Sequence, residues 1–208
     1  MMKFLNEIVD CLKTFEIELD NHSEDGRLNS AENEIEILNL LNKHFSSNIQ
    51  TPNIRSWYDF KITDNNDEIF VNIKVSDLDN ESADNISSKL GMGYALTGIQ
   101  NMSMRWEKFH KQIKEDIKLG YDYYFLIVNK NYSCDTFWTS LKRIETLVPN
   151  GNNLPFQCNW AKNREFSNRN EIEATYYILR QYICSWDKKA KGYPFELKDL
   201  LINNKLLD

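Results

Sequence analysis

The amino-acid sequence predicts a single α/β domain in which a sheet is flanked by helices. Segments with apolar residues at helical spacing alternate with short strand-like runs, and no repeat, low-complexity region or linker separates them. One run, residues 121–130, is strongly apolar, as is typical of a strand covered on both faces. With 208 residues and 41% hydrophobic side chains, the chain can bury one core without disulfides or metal. We therefore interpret residues 1–208 as one domain.

The first part of the chain is predicted to form two helices followed by two strands. Residues 3–19 have apolar side chains at helical spacing, which indicates an amphipathic helix. A second helix is expected to begin after a cap at Asn29 or Ser30 and to continue to Phe45. Residues 58–75 then read as two short strands joined by a polar turn.

The rest of the chain is predicted to alternate between helices and strands. The expected elements are a short helix within 85–99, a helix over 102–120 that ends at Gly120, a strand at 121–130, a helix over 136–147, a strand within 154–163, a long helix over 170–191 and a short terminal helix within 194–204. Together with the first part, this order describes a sheet flanked by helices.

Composition and charge exclude several classes of protein. The net charge of −6 argues against a nucleic-acid coat protein, but a nuclease can carry a basic cleft on an acidic body. The cysteines and histidines lack the spacing of a zinc site, and the cysteines are expected to be reduced. No apolar run has the length of a membrane span, and the N-terminus carries charges where a signal peptide is apolar. We therefore expect a cytoplasmic protein.

The strand pair carries the residues with the clearest chemistry. Asn72 and Lys74 lie two positions apart, so their side chains share one face of a strand, and a hairpin would bring Asp59 beside them. Phosphodiester hydrolysis commonly uses a divalent ion, and Mg²⁺ prefers carboxylate and other oxygen ligands. Asp59, Asn72 and the carbonyl of Ile73 are the candidate ligands, and Lys74 would orient water or neutralise the phosphate. Asn72 supplies a neutral oxygen where an acid would complete the metal pair.

This pattern resembles the PD-(D/E)XK nucleases, and within them the type II restriction endonucleases. In that family an acid opens the hairpin and an acid-x-lysine triplet closes it. In this chain those positions are Asp59 and residues 72–74, while Tyr58 stands where the family often has proline. The family often has a glutamate on an early helix that faces the site, and Glu34 matches that place. The resemblance covers roughly residues 30–130.

The resemblance implies a fold, a cofactor and partners. The implied fold is restriction-endonuclease-like, with a central mixed sheet flanked by helices, and the implied cofactor is Mg²⁺. The implied partners are double-stranded DNA at a short specific site and a second copy of the chain in a homodimer. In the branch that cuts to blunt ends, a segment after the lysine touches DNA, and a similar segment here makes Asn85, Ser82 and Lys89 candidate DNA contacts.

A second candidate DNA surface lies in the polar segment around residues 155–170. Its amide, ammonium and guanidinium groups are of the kind that contact base edges in the major groove. The candidate residues are Gln157, Asn159, Lys162, Asn163 and Arg164. An ordinary polar loop is the alternative interpretation of this segment. Trp160 within it is either a core anchor or a base contact.

Other interpretations of the hairpin and of the whole chain stay open. An acid and a lysine on neighbouring strands also occur on solvated sheet faces. Asn72 is a natural variant, the mark of a decayed site, or a replacement made to trap a complex. The chain is a working nuclease, a DNA-binding module on the same fold that does not cut, or a partner-binding protein whose acidic surface mimics DNA.

Overall fold

The computed structural model describes residues 2–15, 19, 26–52, 56–64, 67–80, 83–86, 89–151, 155–189, 199 and 201–204, with the backbone alone at 26–31, 64, 67 and 189. The chain divides into two compact units. The first unit comprises Met1–Glu81 and Tyr124–Thr139, and the second comprises Ser82–Tyr123 and Ser140–Asp208. The chain therefore passes between the units three times, and the single-domain interpretation stays a prediction.

The described residues form helices and strands in alternation. The helices are α1 (Met2–Lys13), α2 (Gly26–Phe45), α3 (Lys89–Thr97), α4 (Trp106–Asp116) and α5 (Glu171–Lys189), with a 3₁₀ turn at Ala161–Asn163. The strands are β1 (Ile49–Gln50), β2 (Phe60–Asp64), β3 (Asp67–Ser76), β4 (Asp84–Ile86), β5 (Tyr124–Asn129), β6 (Thr136–Ser140), β7 (Val148–Pro149) and β8 (Phe156–Cys158). Residues 199 and 201–203 are also helical.

A five-stranded mixed sheet, in the order β1-β2-β3-β5-β6, organises the described part of the first unit. Strands β1, β2 and β3 pair antiparallel, whereas β3 pairs with β5 in parallel, so that Val71 lies opposite both Phe60 and Tyr124. Helices α1 and α2 place Leu5 and Ile37 in one hydrophobic core with alternate residues of β2, β3 and β5. The chain is therefore a mixed α/β protein with helices against its sheet, as the sequence predicts.

The alternation of β3 positions the polar residues of the hairpin. Ile69, Val71 and Ile73 belong to the hydrophobic core. Because successive side chains of a strand point to opposite faces, Asn72 and Lys74 lie on the other face. All six residues of β5 are buried, which confirms the prediction of a strand covered on both sides.

A small antiparallel sheet, in the order β4-β8-β7, and three helices make up most of the described second unit. Helix α3 packs against α4, and α5 packs against β7 and β8. Nearly all residues of α3 are buried, which explains why this short segment is apolar on every side. No helix among the described residues combines the length and the apolar character that crossing a bilayer requires.

One predicted element is wrong in type. The sequence predicts a helix over residues 136–147, but Thr136–Ser140 forms strand β6 and a turn follows it. The β-branched and aromatic residues at 136–139 suit an extended strand, and pairing with β5 outweighs the helical spacing further along. Similarly, the strand predicted within 154–163 is limited to Phe156–Cys158 before a 3₁₀ turn begins.

Several helix boundaries also differ from the predictions, including the start of α4 at Trp106 rather than at residue 102. Helix α1 ends at Lys13 rather than at residue 19, and α4 ends at Asp116 rather than at Gly120. Helix α2 begins at Gly26, before the predicted cap at Asn29 or Ser30. Local sequence defines helix boundaries only weakly, because helix ends fray and tertiary contacts decide where a helix stops.

Candidate functional site

The hairpin of β2 and β3 brings the predicted acid to the predicted triplet. The backbone N–H of Asp59 donates to the carbonyl of Val71 at 2.9 Å, which extends the strand pairing by one residue beyond β2. Asp59 therefore faces Asn72. The Nδ2 of Asn72 and the backbone N of Ile73 each donate to Oδ2 of Asp59 at 2.6 Å. One carboxylate oxygen thus joins the two strands.

The predicted lysine and glutamate also meet at this place. The Nζ of Lys74 lies 3.7 Å from Oε1 of Glu34, and these side chains are 23% and 24% exposed. Glu34 stands one turn before Ile37, whose burial in the core fixes this part of α2 beside β3. We call Glu34, Asp59, Asn72, Ile73 and Lys74 the hairpin patch, and all five belong to the first unit.

The surroundings of Asp59 act on its charge in opposite directions. Burial raises the pKa of the Asp59 carboxyl above its ordinary value, because water no longer stabilises the anion. The hydrogen bond from the Ile73 N–H and the positive charge of Lys74 both lower that pKa. Hydrogen-bond donors of the protein or a nearby cation are therefore needed to stabilise the ionised form of the Asp59 carboxyl. Acids at catalytic sites often have such an environment.

The oxygen groups of the hairpin patch fit a Mg²⁺ ion in kind. Asp59 supplies a carboxylate, and the Ile73 carbonyl lies on the same edge of β3 as the N–H that contacts Asp59. Turning the amide of Asn72 would present its oxygen, although its present hydrogen bond directs the NH₂ group at Asp59. Among the described residues, no group of three His, Cys, Asp or Glu side chains is placed to hold a metal ion. Asn72 adds no negative charge to the patch, whose two acids are Glu34 and Asp59.

The candidate DNA contacts after the lysine fall in the second unit. Asn85 is exposed on β4, where its Oδ1 accepts a hydrogen bond from Asn150 at 2.6 Å. Gln157 lies opposite Asn85 on β8 and is half-buried. Ser82 lies outside the residues that the structure describes. Asn85 and Gln157 are therefore neighbours on one small sheet, which their separation in sequence does not indicate.

Two of the candidate DNA contacts are buried. Lys89 is 7% exposed, donates to the carbonyl of Met104 at 2.8 Å and places its Nζ 3.9 Å from the ring centre of Trp106. Asn163 is 1% exposed, and its amide bonds the backbone of Thr146 and Asn159. In the structure, Lys89 and Asn163 direct their polar groups to other parts of the protein, whereas the sequence predicts that they contact DNA. A buried amide or ammonium group needs hydrogen-bond partners inside the protein.

The remaining candidates lie on the polar segment as predicted, with different degrees of exposure. The side chain of Asn159 accepts a hydrogen bond at 2.9 Å from the backbone N of Lys162, which lies in the 3₁₀ turn. Lys162 and Arg164 are exposed. Trp160 is 2% exposed and packs in the interior, so of its two interpretations the core anchor is correct.

An open groove of about 700 Å³ in the second unit was not predicted from the sequence. Arg169 shapes it by stacking 3.8 Å from the ring centre of Tyr177 and by donating to the carbonyls of Ile144 and Glu145. Its charged lining residues are Lys162, Arg169, Arg180, Glu145, Glu165 and Glu173. Acidic and basic side chains thus balance, which does not favour binding of a phosphate backbone.

An aromatic cluster beside the hairpin patch was also missed. The ring centres of Trp57 and Tyr58 each lie 4.8 Å from that of Phe70, and they lie 5.1 Å from each other. We call these three residues the aromatic platform. The signal was present in the sequence, because Trp57 and Tyr58 directly precede Asp59 and Phe70 stands two positions before Asn72.

The hairpin patch is the place where residues distant in sequence come together around ionisable groups. Glu34 comes from a helix, Asp59 from the start of a hairpin, and residues 72–74 from its second strand. Comparison with protein-family models and with curated proteins finds no match for the chain. The chemistry of the hairpin patch is therefore the observation from which a function is inferred.

Proposed function

We propose that the protein is a type II restriction endonuclease of the PD-(D/E)XK kind, which hydrolyses phosphodiester bonds of double-stranded DNA with Mg²⁺. The observation that carries this proposal is the hairpin patch, in which Asp59 contacts Asn72 and Ile73 while Lys74 pairs with Glu34. The mixed sheet supports a restriction-endonuclease-like fold, because its antiparallel β2–β3 pair joins a parallel β3–β5 pair.

Each residue of the hairpin patch has a proposed role. Asp59 and the Ile73 carbonyl would bind Mg²⁺, which supplies an activated water and neutralises developing negative charge when it is bound. Lys74 would hold the attacking water or a phosphate oxygen by hydrogen bonds. Glu34 would keep the Lys74 ammonium in place, since their charged atoms are 3.7 Å apart.

Asn72 makes the chain as written a weak or inactive nuclease in this proposal. An acid at position 72 would add a negative charge beside Asp59, whereas the amide adds none and donates a hydrogen bond to it. A hard divalent cation binds more weakly when one of its anionic ligands is lost. Asn72→Asp is therefore expected to strengthen metal binding and cutting.

The proposal includes a homodimer in the cytoplasm. A dimer with two-fold symmetry places two equivalent active sites on the two strands of a duplex. Its recognition sequence would therefore be a short palindrome.

The proposed function is tested by incubating supercoiled plasmid with Mg²⁺ and the parent chain, Asn72→Asp, or Asn72→Asp combined with Lys74→Ala. Discrete fragments are expected with Asn72→Asp, few or none with the parent, and none when Lys74 is removed. Lys61→Ala in the Asn72→Asp chain is the matched control, because Lys61 lies on the same hairpin but pairs with Glu68. Absence of both cutting and metal binding in every variant contradicts the proposal.

A DNA-binding module that no longer cuts is the second candidate. The observation that favours it is the bond from Asn72 to Asp59, because Oδ2 of the carboxylate already accepts hydrogen bonds from two protein donors. This candidate predicts that the chain binds duplex DNA with an affinity that falls as salt rises, and that no cleavage products form even when Asn72 is replaced by Asp.

The net charge of −6 favours a third candidate, a DNA mimic that binds a protein partner. This candidate predicts no affinity for duplex DNA in a gel-shift titration, even at low salt.

A further inference from the structure

The aromatic platform shares a strand face with the hairpin patch. Phe70 and Asn72 are two positions apart on β3, so their side chains point the same way and lie about 7 Å apart. The register pairs Phe70 with Lys61, which places these two on that same face. Trp57 and Tyr58 approach this face from the chain that leads into Asp59. The platform therefore lies on the face of the hairpin that carries the hairpin patch.

The platform combines a buried anchor with partly exposed rings. Phe70 is buried, whereas Trp57 and Tyr58 are each half-buried. The Trp57 ring is tilted by 40° to the Phe70 ring, and the Tyr58 ring meets Phe70 edge-on at 63°. Contacts of this kind hold large rings in defined orientations. A preorganised aromatic surface thus remains partly open next to ionisable groups.

The position of the platform distinguishes it from the core. The hydrophobic core that contains α1 and α2 uses Phe60, Val71 and Ile73, which lie on the opposite face of the hairpin. Trp57 and Tyr58 lie instead on the face of Asp59, Asn72 and Lys74. Partly exposed aromatic rings beside a site for phosphodiester chemistry suit the flat face of a nucleobase, since base–aromatic stacking accepts any base.

We propose that Trp57 is a stacking site for a base of the DNA strand whose phosphate occupies the hairpin patch. This inference rests on the proposed function. A base that stacks on Trp57 must leave its neighbours in the duplex, which is easiest where the strand is single or its pairing is weak. Within the duplex substrate of the proposed function, the nucleotide beside the phosphate that is cut would therefore leave the base stack.

The test compares two fluorescein-labelled single strands that have the same phosphates but differ in bases. One is oligothymidylate, and the other is an oligomer of equal length built from abasic sugar–phosphate units. Fluorescence anisotropy at low salt in EDTA measures their affinities for the intact chain without cleavage. Because the phosphate charge is equal in the two strands, the ratio of affinities reports contacts with bases.

The parent chain is expected to prefer oligothymidylate, and Trp57→Ala is expected to lower that affinity by roughly 5- to 150-fold, the range typical of one base–aromatic stack. Affinity for the abasic strand is expected to stay unchanged. Trp57→Phe is expected to retain part of the preference, and circular dichroism confirms that each variant is folded. The matched control is Trp138→Ala, which removes another half-buried tryptophan of the first unit, at the β6 edge of the sheet.

Equal binding of the two strands by the parent chain, or an unchanged preference in Trp57→Ala, overturns the inference. An equal loss of affinity for oligothymidylate in Trp138→Ala also overturns the inference, because the loss in Trp57→Ala would then come from general destabilisation of the fold. Plasmid cleavage by Asn72→Asp tests the proposed nuclease separately. Cutting without a base preference rejects only the stacking site, whereas a base preference without cutting in any variant rejects only the nuclease.

Discussion

At the scale of single residues, Oδ2 of Asp59 is the atom on which the hairpin patch depends. It accepts hydrogen bonds from the Asn72 amide and from the Ile73 backbone, both at 2.6 Å. Ile73 is buried within β3, so its N–H requires an acceptor from the protein. Asp59 therefore supports the strand pairing in addition to its proposed role in metal binding.

Removing the Asp59 carboxylate is expected to destabilise the fold. Asp59→Ala leaves the Ile73 N–H without its acceptor, at a cost of about 1–3 kcal/mol in the free energy of unfolding. Asp59→Asn keeps an oxygen at that position and is expected to cost less. Urea denaturation measures both, with Asp10→Ala at an exposed position of α1 as the control. Equal midpoints for Asp59→Ala and the control would show that this acceptor is dispensable.

Asn72→Asp is expected to make stability depend on divalent metal. The amide nitrogen of Asn72 lies 2.6 Å from Asp59, so a carboxylate in its place brings two negative charges together. In EDTA this variant should melt below the parent chain. Saturating Mg²⁺ should then stabilise it by about 2–3 kcal/mol, the effect of a ligand present at roughly a hundred times its Kd.

Differential scanning fluorimetry with and without Mg²⁺ measures this change in melting temperature. Asn39→Asp, at an exposed position of α2 in the same unit, is the control for adding one negative charge. A Mg²⁺ response of equal size in both variants would mean that the ion does not bind at the hairpin patch.

At the scale of elements, the glycines of α3 have a packing role that the local sequence does not predict. Gly91 and Gly93 suggest a loosened helix when only their low helix preference is considered. In the structure both face aromatic side chains of the second unit. A Cβ at Gly91 would lie 2.5 Å from the Tyr123 ring, and a Cβ at Gly93 would overlap Met102 and Phe109. The glycines are therefore sites of close packing.

Alanine at either position of α3 is expected to destabilise the protein. Overpacking typically costs about 1–3 kcal/mol, which exceeds the gain of about 1 kcal/mol in helix preference. Gly120→Ala is a useful comparison, because no atom lies within 4 Å of its Cβ while its φ of +92° is strained for alanine. Chemical denaturation of all three variants separates crowding from backbone strain. Stabilisation by Gly91→Ala would contradict the close packing.

The hairpin and β6 show why some elements are predictable and others are not. The alternation of β2 and β3 is local, so the sequence places Asn72 and Lys74 on one face correctly. Strand β6 begins seven residues after β5 ends and pairs with it, and that pairing overrides the helical spacing that follows it. The alternation along a single strand was therefore predicted, while β6, whose type depends on pairing with another strand rather than on its own spacing, was missed.

At the scale of the whole molecule, two ionisable groups of the second unit, the half-buried Asp122 and the buried His110, affect the dependence of stability on pH. Burial raises the pKa of Asp122 to about 6, against the charge of Lys142. Burial and the charge of Lys89 lower the pKa of His110 to about 4, and its Nε2 lies 2.9 Å from the hydroxyl of Tyr182. The shifts are opposite in direction, so their effects on unfolding are opposite too.

The sign of each contribution follows from linkage. Asp122, whose pKa is raised from 3.8, stabilises the fold fully below that value, and this contribution is lost as the pH rises through about 6. His110, whose pKa is lowered from 6.5, stabilises the fold fully above that value, and this contribution is lost as the pH falls through about 4. Between about pH 4 and pH 6, the stability lost from Asp122 as the pH rises is nearly equal to the stability gained from His110. The free energy of unfolding of the parent chain should therefore change little over this range because of these two groups.

Each single variant should therefore reveal the contribution of the other group. Relative to the parent chain, Asp122→Asn should become less stable as the pH falls from about 6 to about 4, by on the order of 2 kcal/mol because Asp122 is partly exposed. His110→Gln should change in the opposite direction. Urea midpoints across this range measure both, and the double variant should again follow the parent. Parallel curves for all four proteins would contradict the assignment.

The sequence by itself determined the α/β class, the hairpin, and the shared strand face of Asn72 and Lys74, because each depends on a local period. It also indicated Asp59 and Glu34, but only the tertiary structure decided that Glu34 pairs with Lys74 and that Asp59 bonds Asn72 and Ile73. The tertiary structure likewise decided the burial of Lys89 and Asn163 and the place of the aromatic platform. Those outcomes depend on which distant segments pack together, and a local period does not specify that.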